Sequence, residues 1–113
     1  MKYKIINPES IQQSMMGNTE MIKQFVQMYL SQTPADFEAL SLAVNNKNHQ
    51  AIKDAAHHIK PTMEYIGASQ LRADFQELEN LGKDLACVDL IVEKFGALKP
   101  KFDLMLEELK TLL

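Results

Sequence analysis

Tryptophan is absent from this chain of 113 residues, cysteine occurs once, and glycine and proline number four each. The single thiol, Cys87, excludes an internal disulfide, so a reducing compartment is the expected setting and Cys87 reads as structural rather than reactive. With so little Gly and Pro beside 46% hydrophobic residues, a disordered chain is excluded and a compact helical protein is expected. No apolar run approaches the roughly 20 residues of a membrane span. No charged-then-apolar leader opens the chain either, so a cytoplasmic protein with no membrane attachment is expected. Basic residues are in deficit: 12 Lys and Arg stand against 15 Asp and Glu, a formal charge of −3, and no basic stripe is available to release counterions from nucleic acid.

The length suits one domain spanning 1–113 and leaves no room for a nucleotide-binding catalytic domain, so kinase activity of its own is not expected. Residues 1–10 read as an extended lead, followed by a short helix from Ile11 to Met15 that Gly17 ends. Asn18 or Thr19 suits the cap of the next helix, where Ile22, Phe25, Val26, Tyr29 and Leu30 form a core face up to about Ser31. Thr33-Pro34-Ala35-Asp36 has the form of a fresh helix start, with Phe37, Leu40 and Val44 as its stripe. A polar turn at 45–48 leads into a helix of about 49–66, closed by Gly67. Ala68, Leu71, Phe75, Leu78 and Leu85 mark the second arm of a hairpin, with Gly82 as a stop or a tight contact. A seam from Ile91 through Phe95, Leu98, Phe102, Met105 and Leu109 to Leu112 completes the chain, kinked at Pro100. Short connections between such faces predict an all-α fold, an antiparallel four-helix bundle with a short N-terminal helix.

The chemistry concentrates in the helix of about 49–66. With Ile52 at zero on a helical wheel, Ile52, Ala55, Ala56, Ile59, Met63 and Ile66 fall in one apolar arc. His57 lies opposite, with Glu64 beside it and Lys53 and Lys60 between it and the arc, so its ring should reach water. His58 leans to the other flank, near Asp54, Thr62 and Tyr65. Imidazole is a nucleophile near neutral pH, and a cation one turn away on the same face is placed to hold the oxygens of a group it accepts. Lys60 stands three residues after His57, whereas Pro61 and Thr62 occupy the corresponding positions after His58. That difference selects His57 and leaves its tautomer open.

Ala56-His57-His58-Ile59-Lys60-Pro61, then Gly67-Ala68, Leu71 and Leu78-Glu79, resembles the signature of histidine-containing phosphotransfer (HPt) domains. That signature runs Ala-His-x-Leu-Lys-Gly, then Gly-Ala before an amphipathic helix ending in Leu-Glu. Met16-Gly17-Asn18, Phe25 to Leu30 and Thr33-Pro34 sit where such domains have similar elements, so the likeness covers roughly Ile11 to Leu81. The resemblance implies a phosphorelay protein of two-component signal transduction. A receiver domain, such as one within a hybrid histidine kinase, would donate from its phospho-aspartate to His57 as phospho-acceptor, and a second receiver would take the group away. Lys60 would steady the phosphoryl oxygens. No cofactor is implied, magnesium being expected on the partner receiver, and a monomer is the expected state. Pro61 departs from the usual Gly: it lacks the N–H that would bond to the His57 carbonyl, and a local bend is expected there.

Three other readings fit parts of the pattern. A bundle that binds receivers without transferring phosphate is one. The dimerisation helices of sensor kinases carry His-Glu-[Leu/Ile]-Arg/Lys-x-Pro, but here His58 replaces Glu and the proline comes one residue early. An incidental metal site at His49, His57 and His58 suffers from the angle of roughly 100° between neighbouring helical positions. Met15, Met21, Met28 and Tyr65 are candidates for an adaptable docking surface, although methionines at helical spacing more often fill a core.

Overall fold

The computed structural model describes residues 3–112, apart from the side chain of Ser14; Met1, Lys2 and Leu113, included in the expected domain of 1–113, lie outside them. Five helices follow in order: α1 (Pro8–Ser14), α2 (Thr19–Asn45), α3 (His49–Tyr65), α4 (Ser69–Lys83) and α5 (Val88–Lys110), with no strand among the described residues. Asparagine starts three of them: the side chains of Asn7, Asn18 and Asn48 accept from the amides of Glu9, Met21 and Ala51, donors that the first helical turn leaves unpaired.

α2 packs on α3 and α5, and α4 packs on α3 and α5, which closes α2–α5 into a four-helix bundle. His49 at the start of α3 bonds to the Ala86 carbonyl beyond the end of α4, so these neighbours run antiparallel. Leu40, Ile52, Ile59, Met63, Leu71, Phe75, Leu78, Ile91, Leu98, Phe102 and Met105 are sealed in the core. Phe37 of α2 stacks on Phe102 of α5 with centroids 3.9 Å apart and planes 10° apart, and Phe75 of α4 stands nearly perpendicular to both with its centroid 6.4 Å from each.

Two expectations about the bundle helices need correcting. Thr33-Pro34 does not start a helix: α2 runs through it, and Thr33 is buried. An interior proline costs its helix one N–H and crowds the carbonyl four residues back. Here the buried stripe Val26, Thr33, Phe37, Leu40 and Val44 continues across the proline, and its packing outweighs the loss. Pro34, Pro61 and Pro100 all lie on exposed positions, and all three helices continue past them. Leu85 is not a core residue. It follows the end of α4 at φ 54°, 73% exposed, taking the left-handed conformation in which the chain turns toward α5.

Gly67 performs the same turn after α3 at φ 72°, and here glycine is required twice, since a Cβ would also lie 2.5 Å from the Cβ of Asn7. The lead is therefore packed against the bundle. It ends at Asn7, whose amide donates to the Ile66 carbonyl, and α1 begins three residues earlier than Ile11.

Glu108, buried on α5, holds the lead in place: its carboxylate accepts from the amides of Lys4, Ile5 and Ile6, each at 3.0 Å. Tyr3 and Thr111 share a further hydrogen bond. Glu108→Ala strands those three donors and is expected to cost about 2 kcal/mol, the scale of hydrogen bonds to a charged group less what water restores. Amide exchange at Ile5 and Ile6 checks this: protection retained in the variant would mean that the carboxylate is not what anchors the lead.

Candidate functional site

The period of α3 settles what faces water. Ile52, Ala56, Ile59, Met63 and Ile66 are buried and Ala55 is half-buried, which leaves the His57 side chain 69% exposed on the opposite side. Pro61 carries no N–H, so the His57 carbonyl lacks its partner four residues on.

α4 supplies what α3 lacks. Leu71, Phe75 and Leu78 turn one face of α4 into the core, and Gln76 and Glu79 stand on the flank beside α3. The two helices come close at Gly82, where a Cβ would lie 2.8 Å from the His49 carbonyl oxygen and 2.9 Å from the Lys53 nitrogen. The tight-contact reading of Gly82 therefore holds, and α4 ends one residue later. The close approach lets a glutamate side chain span the gap. Oε1 of Glu79 lies 3.1 Å from Nδ1 of His57 and 2.8 Å from Nζ of Lys60. Lys60 also donates to Oε1 of Gln76 at 2.6 Å, and the Gln76 amide donates in turn to Asn80.

Burial pushes the Glu79 carboxyl up, but hydrogen bonds from Lys60 and His57 and the attraction of their charges outweigh it and hold the group below its ordinary value. Glu79 is thus an anion at neutral pH and only accepts hydrogen bonds. The proton of that contact belongs to His57 Nδ1, and in neutral imidazole this leaves the lone pair on the exposed Nε2. The linkage has a definite sign. A carboxyl lowered by folding contributes stability that is complete above its unfolded value of about 4.3 and is lost as pH falls through the lower folded value. Acid titration is therefore expected to weaken the α3–α4 pairing below about pH 4. Measuring the same titration in Glu79→Gln checks it, because the variant should lose this component and an unchanged profile would contradict it.

The other histidines turn elsewhere. Nε2 of His58 lies 3.5 Å from Asp36 of α2, on the other flank of α3, where Asp54 lines the same shallow depression. His49 donates through Nε2 to the Ala86 carbonyl, since a carbonyl only accepts. The three rings diverge, and among the described residues no group of three or more His, Cys, Asp or Glu is placed to hold a metal ion. Glu64, exposed on α3 like His57, pairs with Arg72 of α4 at 3.6 Å. Met15 is buried and drops out as a docking residue, whereas Met21, Met28 and Tyr65 are exposed. Among the described residues no helix is long and apolar enough to cross a membrane.

Glu79 is the residue that sequence reasoning missed as part of this site. It figured only as the last residue of a motif, and its nearest signal was Gly82 three positions on, which marked a close helix contact without saying what faced what.

A family model described as "Hpt domain" matches residues 24–112. No curated protein and no solved structure matches the chain.

Proposed function

Because the chain belongs to the Hpt domain family, whose members carry phosphoryl groups on histidine in two-component systems, we propose that His57 is its phospho-acceptor and that Lys60 steadies the phosphoryl oxygens. Hpt domains are phosphocarriers rather than kinases, and their partners are receiver domains. The observation that carries the assignment is the contact from His57 Nδ1 to Glu79 on a ring that otherwise faces water.

The donor is the acyl phosphate of a receiver aspartate. The Nε2 lone pair of His57 forms the N–P bond while the bond from phosphorus to the aspartyl oxygen breaks, and its electron pair leaves with the aspartate carboxylate. The Nδ1 proton stays on the ring, held by Glu79, so the positive charge that builds up on the imidazole lies against an anion. In the reverse step the same proton lets the ring depart as neutral imidazole, and a second receiver takes the phosphoryl group. Positioning and charge are what this chain supplies. Magnesium belongs to the receiver in this scheme, and residues 1–113 act as one domain.

Incubation of the chain with a phosphorylated receiver, without ATP, tests the proposal. The expected product is an acid-labile, base-stable label that a second receiver removes. Absence of label with every receiver of a panel would support an adaptor that binds without transfer, and label that requires only ATP and this chain would support a kinase.

A further inference from the structure

Lys60 is not idle in the resting protein. Its ammonium has two partners on α4, Glu79 Oε1 at 2.8 Å and Gln76 Oε1 at 2.6 Å, and the side chains of Lys60 and Glu79 are only 14% and 16% exposed. Water is poorly placed to loosen such a pair, and one N–H of the three is left over. Asn80 accepts from the Gln76 amide nitrogen, which turns the amide oxygen toward Lys60 and makes that second tether definite. The Glu79 oxygen that holds Lys60 is also the one that meets His57 at Nδ1, across the ring from Nε2. A phosphoryl group on Nε2 would bring about two negative charges to the far side of the ring at neutral pH. Glu79, tied at Nδ1, is not placed to accompany the ammonium there.

We propose that Glu79 restrains phosphoryl uptake: its carboxylate and the incoming phosphoryl group compete for the single ammonium of Lys60, and that ion pair opens as the group arrives. This deepens the assignment of His57 as acceptor and rests on it. Glu79 is on this account a positioning residue with two opposed effects, since it directs the Nε2 lone pair outward and withholds the cation. The second effect alone requires Lys60.

A double-mutant cycle isolates it. The initial rate of phosphoryl incorporation at His57 is followed by 31P NMR with phosphoramidate as donor, in the full chain and in its E79Q, K60Q and doubly substituted forms. The amide oxygen of E79Q can still accept from Nδ1, and any change in the ring itself is common to both backgrounds. Competition predicts that E79Q accelerates uptake about fivefold with Lys60 present and less than about twofold in the K60Q background, a coupling of the size found between contacting charges. Equal factors in the two backgrounds, or a slowing confined to the Lys60 background, overturn the proposal while leaving His57 as acceptor. No incorporation at His57 in any form overturns the acceptor assignment and the proposal with it. Should E79Q fail to fold, E79A goes through the same cycle, because the lost Nδ1 acceptor cancels between the backgrounds.

Discussion

His57→Gln is expected to remove the acid-labile label from the chain incubated with a phosphorylated receiver, a loss of more than about a hundredfold set by assay background, because on the proposed assignment the imidazole supplies the nucleophilic lone pair. Glutamine keeps an N–H donor for Glu79 and sits on a solvent-facing position of α3, so the bundle should be undisturbed. The companion variant His58→Gln should retain labelling within about twofold, in line with the small effects of surface substitutions away from special features. His58 is equally exposed, but it points toward Asp36 on α2, and Pro61 stands three residues after it where Lys60 stands three after His57. Exposure does not separate these neighbours. Their different partners on α2 and α4 do, and label that disappears with His58→Gln alone would reverse the assignment.

Phe102→Ala is expected to destabilise the fold by about 3–5 kcal/mol, the range for emptying a buried phenylalanine site. Phe102 is buried on α5, lies flat on Phe37 of α2 and packs nearly perpendicular to Phe75 of α4, so one ring joins three helices. Removing it leaves a cavity bounded by two rigid rings that cannot collapse inward without breaking their own contact, and it forfeits aromatic pairing beyond the area lost. Against a typical total of about 5–15 kcal/mol this is a large fraction. The urea midpoint should fall with the slope unchanged. A loss below about 1 kcal/mol would mean that the three helices are held together elsewhere.

Much of this was legible in the order of residues, for identifiable reasons. The arc from Ile52 to Ile66 and the outward placement of His57 follow from the 3.6-residue period, which needs no knowledge of neighbours. Asn18 and the polar turn at 45–48 announce helix ends through local hydrogen bonding. Thr33-Pro34 misled because a strong local start signal was read ahead of the buried stripe that runs from Val26 to Val44 across it. Leu85 misled in the opposite way, since its seven-residue spacing from Leu78 fits a seam that the chain leaves by turning.

The charged residues were hardest to read because their partners are distant in the chain. Glu108 meets amides more than a hundred residues earlier, and Glu79 meets a histidine 22 residues before it. Alone, the sequence determined which side of each helix is apolar, where most helices end, and that His57 and Lys60 share one flank. Only the folded bundle decided that Glu79 stands between them, that Nδ1 is occupied and Nε2 open, and that Lys60 is already engaged. Helical periodicity specifies a residue's direction around its own axis but not the axial offset of the helix beside it. That offset comes from packing, here from α3 and α4 closing to contact at Gly82.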